Sequence, residues 1–82
     1  MNAIAETVKT FILQEFLPGQ DPNELTESTP LITSRILDSL ATIKLVVFLE
    51  GQFQIVLQPH ETDVEHMNTL ASIANLVQSK RK

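Results

Sequence analysis

Residues 38–53 read DSLATIKLVVFLEGQF, and their spacing decides the fold class. Thr42, Leu45, Val46, Leu49 and Phe53 recur at helical intervals along one side. Leu40, Ile43, Lys44, Val47, Phe48 and Gly51 line the other. A helix that is apolar on two sides is either buried all round or keeps a sticky outer face, and a chain of 82 residues has little material to wrap one completely. Leu40, Lys44, Val47 and Phe48 are therefore the candidates for contact with partners, with the core as the alternative place for Val47 and Phe48. Ser39 opens the helix with Asp38 directly before it. Backbone N–H groups and the helix dipole favour a phosphate at such a terminus, so a serine oxygen there is placed to carry a phosphodiester-linked group. Asp and Ser are equally ordinary N-cap residues.

Working outward, residues 18–38 carry Pro18-Gly19, Asp21-Pro22 and Thr29-Pro30 among polar and acidic residues, which argues against regular structure. Leu25, Leu31, Ile32, Ile36 and Leu37 recur through the same stretch and predict a long loop packed onto the body. Before it, Ile4, Val8, Phe11, Ile12 and Phe16 predict a first helix over 4–17, with Asn2 as its N-cap and Pro18-Gly19 as its stop. After the central helix, residues 53–57 alternate briefly. With no second strand to pair with, they read as an extended loop that tucks Ile55 or Leu57 inward. A short helix is expected over 61–67 after Pro59, then a last helix capped by Asn68 or Thr69 and running to about Ser79, with Leu70, Ile73, Ala74 and Val77 inward.

The sum is an all-α domain spanning 1–82: a small antiparallel four-helix bundle of three main helices and one short one, with a long first loop. No cysteine is present, so there is no disulfide, thiolate metal site or cysteine nucleophile. His60 and His66 stand six apart, on different sides of a helix and outside any zinc spacing, so no metal site is expected. No apolar run reaches the ~20 residues that span a bilayer, and Met1–Thr10 lacks a signal pattern, so a soluble cytoplasmic chain is expected. Ten acidic residues face six basic ones, and three of the six are Lys80, Arg81 and Lys82 at the C-terminus. The remaining body should repel nucleic acid and suit basic partner surfaces. The basic tail reads as a solvated end that complements the last helix dipole. Glu61, Asp63 and Glu65 read as an acidic rim, or as plain solvated residues, and Arg35 and Lys44 as candidates to steer a phosphate, or as surface charges.

The order of these elements resembles the acyl carrier protein family, including the peptidyl and aminoacyl carriers of nonribosomal synthesis. The resemblance covers nearly the whole chain. It rests on Asp38-Ser39-Leu40 at the start of the second helix, on Thr29-Pro30-Leu31 about eight residues earlier, on Leu45-Val46-x-x-Leu49-Glu50-x-x-Phe53, and on Asn68-Thr69-Leu70 followed by Ile73. It implies that a phosphopantetheinyl transferase places 4′-phosphopantetheine from coenzyme A on Ser39, next to Asp38, and that acyl- or aminoacyl-loading and processing enzymes use the thiol as a thioester handle. The chain itself would then be no enzyme, and is expected to act as a monomer. The sequence departs from the family pattern at Arg35-Ile36-Leu37, where many members have a glycine before the Asp-Ser pair. It departs again at Ala41 and Lys44, where fatty-acid carriers tend to have acids. Those departures point to polyketide or nonribosomal peptide biosynthesis. A fatty-acyl carrier and a D-alanyl-type aminoacyl carrier are the alternatives, and an unmodified helical adaptor using Leu40, Val47 and Phe48 is the alternative outside the carrier class.

Overall fold

The computed structural model describes residues 2–81, and among them every regular element is helical. Four α-helices, α1 (Ala3–Phe16), α2 (Ser39–Phe53), α3 (Val64–Met67) and α4 (Leu70–Lys80), are joined by segments that include two 3-10 turns, Pro22–Glu24 and Pro59–Glu61. The expected count of three longer helices and a short one holds. The predicted short helix over 61–67 is divided in two. Asp63 caps α3 by accepting from the His66 N–H at 3.0 Å, and the Glu61 carboxylate closes the preceding turn on the Gln58 N–H at 2.8 Å. The acids of that segment thus form two separate caps, which interrupts a continuous helix.

Each longer helix starts where a side chain can accept from its first free N–H groups. Asn2 Oδ1 accepts from Ala5 N at 2.8 Å, Asp38 Oδ1 from Ala41 N at 2.7 Å, and Thr69 Oγ1 from Ser72 N at 3.0 Å. The cap of α4 is therefore Thr69. Asn68 is used elsewhere, and its role explains how the long loop is held. Its side-chain oxygen accepts from the N–H groups of Ile32 (2.9 Å) and Thr33 (3.1 Å), and its backbone carbonyl accepts from Leu31 N. Leu37 N then returns to the Leu31 carbonyl at 2.8 Å, closing the loop immediately before α2.

The core joins α1, the loop and the three later helices. Ile4, Val8 and Ile12 of α1 meet Leu45 and Leu49 of α2, and Leu70, Ile73 and Val77 of α4. Leu25, Leu31 and Leu37 from the loop are buried with them, which is what the recurring apolar residues of 18–38 predicted. Ile55 and Leu57 both tuck inward from the extended stretch after α2, while Val56 between them stays exposed. Removing this apolar area from water supplies most of the stability, because helices of 11–15 residues are marginal alone.

Three details differ from the sequence reading. Phe48 does not stand open on the outer side of α2. Its ring stacks on Phe11 at 4.0 Å, and Phe16 meets Phe11 edge-on at 5.7 Å. The residue of α2 buried toward the core near the N-terminus is Ala41, with Thr42 half-buried beside it. The basic tail is not simply solvated. Lys80 pairs with Glu61 at 2.7 Å and the Arg81 guanidinium lies 5.6 Å from the Phe53 ring centre, while Lys82 lies outside the described residues.

Candidate functional site

Because Asp38 takes the N-cap, Ser39 is the first residue of α2 and its hydroxyl is not needed to hold the helix. Asp38 acts twice, its carboxylate accepting from Ala41 N and its carbonyl from the Thr42 hydroxyl at 2.8 Å. Ser39 is exposed, and among the described residues its hydroxyl has no hydrogen-bond partner. A side-chain oxygen that is exposed, spare and seated at a rigid helix start is suited to bear a covalent group.

Ser39 opens onto a shallow cleft of about 700 Å³. One wall is the end of the long loop, with Ile32, Arg35 and Leu37. The floor is the first turns of α2, with Asp38, Ser39, Thr42 and Ile43. The other wall is Thr62, Asp63 and Val64. Arg35 has φ 68°, in the left-handed region that L side chains seldom adopt. This is the approach to the Asp-Ser pair, and the turn needs a left-handed residue there to close Leu37 N onto Leu31 O.

Beside the cleft, α2 leaves a strip uncovered. Leu40, Ile43 and Val47 keep 62%, 60% and 64% of their surface, and Val64 adds a fourth exposed apolar side chain from across the cleft. Lys44 is exposed on the same helix and borders a separate depression with Glu15 and Ile36. Of the partner candidates read from the sequence, Leu40, Lys44 and Val47 are thus on the open side and Phe48 is not. Ile43, which belongs to the same side by spacing, is as exposed as they are.

The expected acidic rim is only partly at the site. Asp63 borders the cleft, whereas Glu61 is turned to Lys80 and Glu65 sits by the outer surface of α4. Hydrogen bonds from the His66 ring and then from its backbone N–H hold the Asp63 carboxyl below its ordinary range. The reciprocal hydrogen bond, 2.7 Å long, raises His66 above its ordinary value. The Lys80 hydrogen bond, with the Gln58 N–H second, lowers Glu61. His66 is therefore engaged with Asp63 and stands apart from His60.

The residues present fit a phosphopantetheine group: a free exposed hydroxyl, an open cleft beside it, and a helix start already capped without it. No protein-family model matches the chain. Curated relatives do. A D-alanyl carrier protein of Lactococcus lactis subsp. lactis is 41% identical over 71 residues, covering 87% of this chain and 90% of that protein. A D-alanyl carrier protein of Lactococcus lactis subsp. cremoris is 41% identical over 70 residues, covering 85% and 89%. Among solved structures, a chain from one described as "Crystal structure of FAD-dependent dehydrogenase" superposes with a TM-score of 0.77 at 31% identity, covering 85% of this chain and 97% of that chain. With the helix order, the free serine at the start of α2 and these relatives together, the chain belongs to the acyl carrier protein family, among the stand-alone carriers that include the D-alanyl carrier proteins.

Proposed function

We propose that the chain is a cytoplasmic aminoacyl carrier that is modified on Ser39 and catalyses no reaction itself. The observation that carries the reading is the spare Ser39 hydroxyl at the capped start of α2, next to an open cleft. On modification the Ser39 oxygen forms a new bond to phosphorus, the pyrophosphate bond of coenzyme A breaks, and adenosine 3′,5′-bisphosphate leaves with the electron pair. The hydroxyl proton goes to a base on the transferase, because among the described residues no side chain is hydrogen-bonded to the Ser39 hydroxyl and the Asp38 carboxylate is engaged with Ala41 N. Once attached, phosphopantetheine supplies a thiol that holds cargo as a thioester at high effective concentration for each partner enzyme. Ser39 fixes where the arm starts, Asp38 keeps that start rigid, and Leu40, Ile43 and Val47 offer the surface for loading and processing enzymes. The helices lie antiparallel in this reading, with α2 as the exposed recognition element.

A small amino acid is the cargo favoured by the relatives, which are named for D-alanine. The polyketide or nonribosomal peptide reading keeps one specific support, the solved chain of the same fold described with a FAD-dependent dehydrogenase.

The test is intact-protein mass after incubation with coenzyme A and a broad-specificity phosphopantetheinyl transferase, followed by adenylating enzymes supplied with D-alanine or with L-amino acids. A gain of one phosphopantetheine on wild type but not on Ser39→Ala, then of one aminoacyl group, is the expected result. Wild-type protein that folds but gains no mass overturns the carrier reading. Gain of a long acyl chain in preference to any amino acid overturns the aminoacyl cargo.

A further inference from the structure

Arg35 stands out when the charges around Ser39 are traced one by one. The cleft beside Ser39 is bordered by two acids and one cation, and that cation is Arg35. Both acids are already engaged, Asp38 on Ala41 N and Asp63 on the His66 N–H and ring. Arg35, in contrast, is exposed and has no ion-pair or side-chain hydrogen-bond partner among the described residues. It also occupies the backbone position where a long side chain is least expected, at φ 68°, a conformation that glycine adopts freely. Gln54, the other left-handed non-glycine residue, is explained by its place as the C-cap of α2, where its N–H bonds Glu50 O. Arg35 closes no helix, so the turn alone gives no reason for a large cation there.

Resting on the carrier reading of Ser39, we infer that Arg35 is a positioning residue for the phosphodiester of the arm. It holds the phosphate against the loop wall of the cleft and keeps the first part of the arm seated when no partner enzyme is bound. A guanidinium presents several N–H donors in a plane that matches two phosphate oxygens at once. Asp38 on the floor and Asp63 on the far wall repel the same phosphate, which biases it at the helix start toward the Arg35 side of the cleft. Ile32, Leu37 and Ile43 then offer apolar surface to the uncharged part of the arm that follows. An exposed pair of this kind is weak and screened by salt, so seating is a bias, strong enough to restrict the arm and weak enough to release it to an enzyme.

The experiment uses the modified protein and reads the phosphorus directly by ³¹P NMR, after mass spectrometry has shown one phosphopantetheine on each variant. Wild type should show a phosphodiester resonance that moves toward the position of free phosphopantetheine as NaCl is raised. Arg35→Gly suits the left-handed turn and so should keep the fold. It should lose that salt response, with the seated population falling about two- to five-fold, the range expected for one exposed ion pair. Arg35→Lys, which restores the charge without the planar donor set, should recover part of the shift. A resonance that is identical in wild type and Arg35→Gly at low salt overturns the role of Arg35 and leaves the carrier reading intact. Failure of wild type to gain the arm at all would instead strike the carrier reading, so the two failures are distinguishable.

Discussion

The two ends of α2 are built for opposite purposes. Toward the C-terminal end most large side chains are committed, with Val47 left uncovered. Leu45 and Leu49 are fully buried, Phe48 stacks on Phe11, and Arg81 lies over Phe53. Glu50 reaches forward to accept from Leu57 N at 2.9 Å, while its carbonyl accepts from Ile55 N. At the N-terminal end Leu40 and Ile43 are uncovered, and the Ser39 hydroxyl is unbonded. The anchoring contacts thus gather from the middle of α2 toward its C-terminus, while the uncovered strip of Leu40, Ile43 and Val47 starts beside Ser39. The lesson is that buried and uncovered side chains are separated along a single element, so the uncovered ones are free to change without unfolding the chain.

That division can be broken most sharply at Ser39. Ser39→Ala should abolish phosphopantetheine attachment completely, as read by intact mass, while shifting stability by no more than about 0.5 kcal/mol because Asp38 holds the cap. The next largest effect belongs to the anchored half. Leu45→Ala should destabilise by about 2–5 kcal/mol in chemical denaturation, since it empties a fully buried site between α1 and α4. If Leu45→Ala is mild, the anchored half is not the source of stability. Glu50→Ala should cost about 1–3 kcal/mol by the same measurement, because it leaves Leu57 N without its charged acceptor. Ile43→Ser on the open half should leave stability within about 0.5 kcal/mol. It should still slow loading by an adenylating enzyme, measured as the rate of aminoacyl gain on modified protein. Loss of stability without loss of loading would reverse the roles assigned to the two halves.

The smallest effect concerns the far wall of the cleft, and it is a pH effect. The hydrogen bond that the His66 ring gives to Asp63 raises His66 above 6.5, and the same bond with that from the His66 N–H lowers Asp63 below 3.8. For the raised histidine, the contribution to stability is complete below about 6.5 and is lost as pH rises through its folded value. For the lowered aspartate, it is present above about 3.8 and is lost as pH falls through its folded value. The pair therefore helps between those limits, and His66→Gln should flatten the decline in stability from mildly acidic to mildly alkaline pH. An NMR titration of the His66 ring should give a midpoint above 6.5 that falls in Asp63→Asn. An unchanged midpoint would remove this tie.

Much of this was legible in the sequence because it is local. The helical spacing of α1, α2 and α4, the cap at Asn2, and the breaks at Pro18-Gly19 and Pro59 are all written within a few residues of where they act. The place of Ser39 at the head of a strong helix was legible for the same reason, but the pattern left Asp38 and Ser39 as equal candidates for the cap, and the structure gives the cap to Asp38. The Phe11–Phe48 stack and the Glu61–Lys80 pair join side chains far apart in the chain, so no local pattern announces them. Periodicity put Phe48 on the open side because it lies between the inner and outer faces, and stacking on α1 decided the matter. Asn68 did leave a trace. Two capping residues stood side by side where α4 needs one, and the spare one proved to hold the loop.

That single asparagine gathers the amides of Leu31, Ile32 and Thr33 onto one residue. Their exchange with solvent deuterium should consequently be concerted: the three protons should be lost at a common rate, set by one opening event that frees the loop from α4. Because Leu37 N is closed onto the same Leu31, that event also slackens the turn leading into Ser39. The lifetime of one side-chain amide clamp, far from Ser39 in sequence, would then govern how often Ser39 loses its fixed approach.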